Sequence, residues 1–206
     1  MIEIERKLRV GFEKLLPGAN AHRKVMNNRK GISDLKDIEE TARKSAVLIL
    51  IYPRNGVPHI VLNKRHAYDG AHSNQIGLPG GKVETSDSSL LDTALREANE
   101  ELNIQSDKVK VIGQLTSLYI PPSNFIVSPF VGIHYDEPKF VPDSYEVQSV
   151  LEIPLNTFLR PNSLINTRVK VGDEVSMKVK AYDVSGQIIW GATCMIIKEL
   201  SELING

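Results

Sequence analysis

The spacing of apolar residues along the chain predicts three main helices. Near the N-terminus, apolar residues recur at helical spacing until Pro17, which should end the helix. They are Ile4, Leu8, Phe12, Leu15 and Leu16. A second amphipathic pattern begins at Ser86 or Asp87, either of which is a good N-cap, and reaches Leu102 without Pro or Gly. Its apolar positions fall on one face that should be buried, and they are Leu91, Ala94, Leu95, Ala98 and Leu102. A periodic apolar segment over residues 189–203 predicts a C-terminal helix.

Strands are predicted between these helices. Residues 45–52 form a nearly continuous apolar and β-branched run, which is typical of a strand buried on both faces. A turn signal at residues 53–56 separates it from the next predicted strand. The remaining predicted elements are strands 57–63, 108–117 and 125–134, a hairpin of 168–171 with 175–182, short helices at 34–43 and ending at 160, and polar loops at 119–124 and 136–143. Strands that alternate with strong helices predict an α/β fold, with a mixed sheet between helical layers.

Length and composition limit the organisation and the partners. The 206 residues suit one domain of residues 45–206 with an N-terminal helical extension of residues 1–44, whose role in dimerisation or substrate gating is left open. With 25 basic and 25 acidic residues the net charge is zero, so neither nucleic acid nor a membrane is expected as a partner. The single Cys194 cannot form an intrachain disulfide, and the N-terminus lacks the pattern of a secretory signal. We therefore expect a cytoplasmic protein that binds a nucleotide-like small molecule, with a homodimer left open.

The polar side of the middle helix carries the candidate chemistry. Glu97, Glu100 and Glu101 stand at positions i, i+3 and i+4, so their carboxylates project on one flank and can share a cation. Mg²⁺ prefers such oxygen ligands and keeps several waters, which substrate phosphates can replace. A glutamate-rich helix taken alone is usually a solvated face. The Gly80–Gly81 turn ahead of the helix changes this interpretation, because its backbone can approach a metal ion or a phosphate closely.

The turn and the helix together resemble a known motif. Gly81, Glu84 and residues 96–101, followed by Ile104, are similar to the Nudix box, the Gly, Glu, Arg-Glu, Glu-Glu pattern of Mg²⁺-dependent diphosphate hydrolases. The interval from Gly81 to residue 96 is one residue longer than in the common box, an offset typical of the coenzyme A pyrophosphatase branch. Asn103 replaces the glycine at the end of the box, and asparagine also tolerates a left-handed helix end. The resemblance implies a Nudix-type α/β/α sandwich and a Nudix hydrolase domain over residues 45–206.

The same resemblance implies roles for individual residues. A bound Mg²⁺ or Mn²⁺ ion would be held by the three glutamates together with a backbone carbonyl of the turn. The implied metal ligands are Glu97, Glu100, Glu101 and Gly81. The implied catalytic group is Glu97, Glu100, Glu101 and Arg96, in which the arginine orients the acidic helix. The implied substrate-binding residues are Arg65, His72, Gln75, Gly80, Lys82 and Glu84.

The residues on both sides of the box resemble the coenzyme A branch. His72 and Gln75 match the signature that precedes the box, and residues 121–125 match a Pro-Pro-Ser-x-Phe element that follows it. Gly70 stands where that signature has an arginine, which removes a cation suited to the 3′-phosphate of coenzyme A. The resemblance implies hydrolysis of coenzyme A or acyl-coenzyme A to 3′,5′-ADP and (acyl)phosphopantetheine.

Two other functions stay open, as does one further acidic residue. A Nudix hydrolase of ADP-ribose, NADH or a dinucleotide would have the same box without needing the flanking matches. A non-catalytic Nudix-like ligand-binding module would be expected to have lost glutamates, and this chain retains all of them. Glu146 is a candidate for the metal site, but its position at the start of a predicted strand favours a structural role.

Overall fold

The computed structural model describes residues 1–26, 38, 41–66, 75–171 and 175–206. The main described helices are α1 (Ile2–Phe12), α2 (Gly18–Val25), α3 (Leu90–Leu102), α4 (Asn156–Leu159) and α5 (Gly191–Asn205). The described strands are β1 (Arg43–Arg54), β2 (Val57–Arg65), β3 (Ile76–Gly77), β4 (Gly80–Lys82), β5 (Lys110–Gln114), β6 (Leu118–Ile120), β7 (Phe125–Ile133), β8 (Val147–Pro154), β9 (Leu164–Val171), β10 (Val175–Val184) and β11 (Gln187–Ile189). No described helix is long and apolar enough to cross a bilayer.

The long apolar run of β1 lies at the centre of an eight-stranded mixed sheet. On one side β1 pairs in parallel with β7, and on the other it pairs antiparallel with β2 along one half and β4 along the other. Strand β8 extends the sheet beyond β2, and β5 and β6 extend it beyond β7. Strand β3 pairs with the end of β2 on the edge opposite β8, which is the edge that β1 uses earlier in β2. Strands β9, β10 and β11 form a separate antiparallel sheet. The predicted mixed sheet and the predicted hairpin are confirmed.

Alternating side chains of β1 cover the two faces of the sheet. Ile49 and Ile51 belong to one buried cluster, which also contains the apolar residues of α1 and α5. Leu48 and Leu50 belong to a second cluster, which contains the apolar residues of α3. Because successive side chains of a strand point to opposite faces, α3 lies on one face of the sheet and α5 on the other. The α/β/α layering that the sequence predicts is therefore confirmed.

Helix α3 begins later than the sequence predicts. Its N-cap is Ser89, whose hydroxyl accepts a hydrogen bond from the backbone N–H of Asp92 at 3.1 Å. Asp87 is not the cap, because its carboxylate accepts hydrogen bonds from the Thr93 hydroxyl, the Arg96 guanidinium and the Glu84 N–H. Of the predicted buried face, Ala94, Ala98 and Leu102 are fully buried, while Leu91 and Leu95 are half-buried. The helix ends at Asn103, which has the predicted left-handed conformation with a φ of 57°.

The N-terminal region differs from the sequence prediction in two ways. Helix α1 ends at Phe12, so Leu15 is 98% exposed and does not belong to its buried face. Helix α2 follows Pro17 and was missed, because eight residues with few apolar positions give no clear period. Both helices pack on α5, and Gly11 allows this contact because a Cβ there would lie 2.5 Å from Leu203. The division of the chain at residue 44 stays a prediction.

Three other element boundaries change. Residues 118–120 pair with β7 in the sheet, whereas the sequence predicted a loop from residue 119. Residues 187–189 form a strand, so the C-terminal helix begins at Gly191. The helix predicted at 34–43 lies mostly outside the described residues, and its last residue, Arg43, opens β1.

Candidate active site

Glu101 is the buried centre of the acidic cleft. It is in the last turn of α3, its side chain is 1% exposed, and it accepts a hydrogen bond from the backbone N–H of Gly80 at 2.9 Å. Two side chains of β2 also donate to it, Asn63 at 2.8 Å and Arg65 at 3.0 Å. The Arg65 guanidinium donates in addition to the Gly80 carbonyl at 3.1 Å. One carboxylate therefore joins α3, β2 and the glycine turn.

Burial makes the charged forms of two carboxylates in the cleft less favourable than in water. Burial raises the pKa of Glu101 to about 7, although Arg65 and the Gly80 N–H act in the opposite direction, and the neighbouring Glu97 and Glu146 raise the pKa further. Burial also raises the pKa of Glu97, although Arg96 partly opposes the increase. Carboxylates in this state are stabilised by an additional cation, so the cleft favours a metal ion.

The two glycines of the turn are required by close contacts. A Cβ at Gly81 would lie 2.4 Å from the carboxylate of Glu97, so this carboxylate sits directly against the turn. Gly80 has a φ of +151°, and a Cβ there would lie 2.3 Å from the carbonyl oxygen of Ala46. Other parts of the protein therefore approach the backbone of this turn closely, and the predicted approach of a metal ion or phosphate stays a prediction.

Arg96 holds the acidic helix against the turn. Its guanidinium donates to Asp87 at 2.8 Å and to the Lys82 carbonyl at 3.1 Å. It also binds Glu97 at 3.1 Å and Glu100 at 2.8 Å. The Arg96 guanidinium keeps the pKa of Asp87 well below its usual range. Arg96 thus contacts two of the predicted metal ligands, and its role in orienting them stays a prediction.

Two residues at the site were not recognised from the sequence. Asp87 was interpreted as a helix cap, but it anchors Arg96 and also accepts from the Glu84 N–H at 2.9 Å. Asn63 was treated only as the end of an apolar strand. A polar residue that is 0% exposed in such a strand needs a buried partner, and this requirement could have identified it.

Glu146 lies at the edge of the same cleft. Asp143 accepts hydrogen bonds from the backbone N–H groups of Tyr145 and Glu146 at 2.8 and 3.0 Å, which fixes the turn before β8. The N–H of Asp143 donates to the carbonyl of Glu101 at 2.9 Å. The charge of Glu146 is close enough to raise the pKa of both Glu97 and Glu101. Glu146 therefore directly precedes β8, as predicted, and also lies close to the two glutamates of the cleft.

The other predicted substrate-binding residues occupy different positions. Lys82 and Glu84 are exposed on the turn beside Glu97. Gln75 precedes β3, and its carbonyl accepts from the N–H of Arg65 at 3.0 Å. His72 and Gly70 lie outside the described residues. The substrate-binding roles stay predictions, and the guanidinium of Arg65 is engaged with Glu101.

The chain resembles known proteins in sequence. The sequence model of the NUDIX domain matches residues 42–163, which include β1, the glycine turn, α3 and Glu146. The chain belongs to the Nudix family. The Nudix hydrolase NudL of Yersinia enterocolitica is 38% identical over 161 residues, covering 78% of this chain and 81% of the relative. NudL of Yersinia pestis is 36% identical over 168 residues, covering 80% and 81%.

Two solved Nudix structures share the fold. A MutT/nudix family protein from Enterococcus faecalis superposes with a TM-score of 0.55 at 15% identity, covering 93% of this chain and 76% of that chain. The MutT protein from Methanosarcina mazei superposes with a TM-score of 0.51 at 20% identity, covering 79% and 94%. Nudix hydrolases act on nucleoside diphosphate derivatives and generally use divalent metal ions, so this protein is a Nudix pyrophosphohydrolase.

The donors of the cleft fit the ion that the Nudix family uses. Glu97, Glu100, Glu101 and the turn carbonyls supply only oxygen atoms, which suits Mg²⁺ or Mn²⁺. Within the described residues, no three acidic, His or Cys side chains are already arranged as a metal cluster. Glu101 instead accepts hydrogen bonds from Asn63 and Arg65, and Glu100 accepts one from Arg96. The individual metal ligands therefore stay predictions.

Proposed function

We propose that this Nudix hydrolase cleaves the diphosphate bond of coenzyme A or acyl-coenzyme A. The products would be 3′,5′-ADP and (acyl)phosphopantetheine. The hydrolytic activity is supported by one observation: Glu97 and Glu101, whose pKa values are raised by burial, lie against the Gly80–Gly81 turn. Such a cleft suits a divalent ion together with the charged oxygens of a diphosphate.

The position of the Pro-Pro-Ser-x-Phe element supports the coenzyme A assignment. This element joins β6 to β7, and Phe125 pairs with Arg43 at the start of β1. Lys82 of the glycine turn pairs with Ser45, two residues further along the same strand. Arg43 lies over the Phe125 ring at 4.1 Å and donates to the Ser123 carbonyl at 2.6 Å. The Pro-Pro-Ser-x-Phe element and the glycine turn therefore lie at the same end of the sheet.

The residues of the cleft have distinct roles in the proposed reaction. A bound ion, held by Glu97, Glu100, Glu101 and a Gly81 carbonyl, would neutralise diphosphate oxygens and acidify a water molecule. Arg65 and Asn63 fix the orientation of Glu101, while Arg96 fixes that of Glu97. These groups are held by packed elements on both sides, which reduces the reorganisation that the reaction requires.

Glu146 is the proposed general base. Its side chain is exposed, and its charge acts on both buried glutamates. It would accept a proton from the attacking water as the new P–O bond forms and the bridging P–O bond breaks. The departing phosphate keeps the electrons of the broken bond.

One observation favours a second substrate class. Arg65 could in principle supply the cation that is missing at Gly70, but its guanidinium is committed to Glu101 and the Gly80 carbonyl. The other two described candidates are Lys64, which is half-buried on β2, and Lys82, which is exposed on the turn. A cleft with fewer cations suits a substrate without a 3′-phosphate, such as ADP-ribose. This substrate is the alternative that the experiment must separate from coenzyme A.

Steady-state kinetics with a substrate panel tests the proposal. The panel contains coenzyme A, 3′-dephospho-coenzyme A, ADP-ribose, NADH and a diadenosine polyphosphate, each measured with Mg²⁺ or Mn²⁺ and with a chelator. We expect coenzyme A to have the highest kcat/KM and the chelator to abolish activity. If ADP-ribose has the highest kcat/KM and coenzyme A is inert, the coenzyme A assignment is wrong while the Nudix activity stands.

A matched pair of variants tests the site. Glu101→Gln should lower kcat/KM by on the order of a hundredfold or more with the fold retained, because it removes the central charge. Asp92→Asn removes a carboxylate from the exposed first turn of the same helix and should retain most of the activity. Full activity of Glu101→Gln with an unchanged Mg²⁺ dependence would contradict the site assignment. Circular dichroism checks that both variants fold.

A further inference from the structure

A second cavity lies on the face of the sheet opposite the acidic cleft. It has a volume of about 400 Å³ and lies between α2, α5 and the sheet that contains β9 and β10. Helix α5 packs on the face opposite α3, and the cavity shares no residue with the cleft around Glu101. A ligand in this cavity would therefore not occupy the active site.

The cavity is strongly basic. Four cationic side chains line it, and no acidic residue is among the described lining residues. The four are Lys24, Arg160, Lys180 and Lys198. Lys24 and Lys198 share the nearby Glu202, at 2.8 and 3.2 Å. Within the described structure, the side chains of Arg160 and Lys180 have no ion-pair partner.

Opposing charges are too weak to cancel these cations. Besides Glu202, the C-terminal end of α5 contributes a partial negative charge of about half an electron near Asn205. The charge of the four cations exceeds the combined negative charge of Glu202 and the helix end. An anion that entered the cavity would consequently meet a net positive charge.

Neutral donors complete the lining. Asn162, Asn166, Ser163 and Ser201 also face the cavity. The buried Tyr182 hydroxyl lies behind this lining, close to the hydroxyls of Ser163 and Ser201 but without a hydrogen bond of standard geometry among the described residues. Burial raises the pKa of Tyr182, and the nearby hydroxyls of Ser201 and Ser163 partly oppose this increase. The two asparagines and two serines therefore place amide and hydroxyl donors beside the cations of the cavity.

We propose that this cavity binds a phosphate-bearing small molecule at a site separate from the active site. Its volume falls within the usual range for small-molecule sites. A phosphate group has several strongly accepting oxygens, and guanidinium, ammonium, amide and hydroxyl donors match them. Leu159, Pro161 and Leu164 provide an apolar wall for the remainder of an organic phosphate.

Calorimetry on the full chain tests this site without the catalytic metal. The probes are inorganic phosphate, pyrophosphate and adenosine 5′-monophosphate at millimolar concentrations, with a chelator present. We expect saturable binding, tightest for the organic phosphate if the apolar wall contributes. The Glu101→Gln variant should bind the probes as the wild type does. Binding that disappears in this variant, or that requires Mg²⁺, would assign the probes to the active site and overturn the proposal.

Charge-removing variants locate the binding. Lys180→Gln and Arg160→Gln should each weaken probe binding about tenfold, since each removes a charged donor. The control is Lys170→Gln on β9, an exposed lysine that does not line the cavity, and it should change binding less than about twofold. Equal losses in all three variants would indicate diffuse attraction to a basic surface, and the absence of any saturable binding would likewise refute the site. Thermal unfolding of each variant confirms that it is folded.

Discussion

The contact between Gly81 and Glu97 shows how a missing side chain determines the position of a functional one. The Glu97 carboxylate occupies the volume that a Cβ at residue 81 would need. This position is reinforced by Arg96, which reaches Glu97 at 3.1 Å and the Lys82 carbonyl at 3.1 Å. The glycine is therefore needed for the placement of a carboxylate, and its backbone angle is a lesser constraint because its φ is not positive.

Replacing Gly81 by alanine tests this placement. The added methyl group should push the Glu97 carboxylate out of the cleft and lower kcat/KM by on the order of a hundredfold. Stability should change by less than about 1 kcal/mol, because the end of a flexible side chain can move. Gly77→Ala is the matched control, since among the described residues its Cβ would meet Asn63 at an ordinary 3.6 Å, and it should keep most of its activity. Normal activity of Gly81→Ala would show that Glu97 does not need this position.

At the residue scale, the sequence located the acidic group but not the residues that hold it. Glu97 and Glu101 were recognisable because three acids at helical spacing follow a glycine pair. Asp87 was misassigned because a helix cap and an arginine anchor both use a carboxylate a few positions before the helix interior. The role of Arg65 at Glu101 depends on how β2 aligns with the turn. Such an alignment of distant segments is not encoded in any local pattern.

At the scale of elements, a buried carboxylate joins the N-terminal helices to the C-terminal one. Glu199 of α5 is 0% exposed and binds His22 of α2 at 2.8 Å. It also accepts from the backbone N–H groups of Gly18 at 3.2 Å and Thr116 at 3.1 Å. One side chain thus connects α5, the start of α2 and the segment between β5 and β6.

The substitution His22→Ala should uncouple these helices. It would leave the buried Glu199 carboxylate with one hydrogen-bond partner fewer, and the free energy of unfolding should fall by at least about 2 kcal/mol. Arg6→Ala is the control on α1, because it removes a pair with Glu3 that is exposed on both sides and should cost less than about 0.5 kcal/mol. Urea unfolding monitored by circular dichroism measures both values. Equal small losses would mean that the buried pair does not anchor α2.

Long elements with a regular apolar pattern were predictable from the sequence. Short elements that pair with distant segments were not. β1, α3 and α5 each have a run or a stripe that identifies them, and only their ends shifted. Helix α2 has eight residues and β6 has three, too few for a periodic signal. Both are stabilised by contacts with segments far along the chain, α5 and β7 respectively. Their formation follows from tertiary packing more than from local propensity.

At the scale of the whole molecule, the sheet separates two chemical environments. The acidic cleft lies on the α3 side, and the basic cavity lies beside α5 on the other side. The net charge of zero conceals this separation, because it sums over both faces. The same alternation of β1 side chains that builds the two cores therefore also isolates the two sites. Substitutions in one site should leave the other unaffected, because their residues do not share contacts.

The buried thiol of Cys194 offers a measure of how firmly α5 is held in this arrangement. Cys194 is 0% exposed, and burial raises its pKa to about 12, so little reactive thiolate exists at neutral pH. Labelling by a disulfide reagent should require α5 to leave the sheet. The rate in native buffer should then be on the order of a thousandfold or more below the rate in denaturant, as expected for a stability of at least about 5 kcal/mol. His22→Ala, which weakens the attachment of α2 to α5, should accelerate labelling, whereas Arg6→Ala should not. Rapid labelling of the wild type, with its circular dichroism spectrum unchanged, would show that α5 opens locally. Equal labelling rates for His22→Ala and the wild type would show that the His22–Glu199 contact does not control the opening.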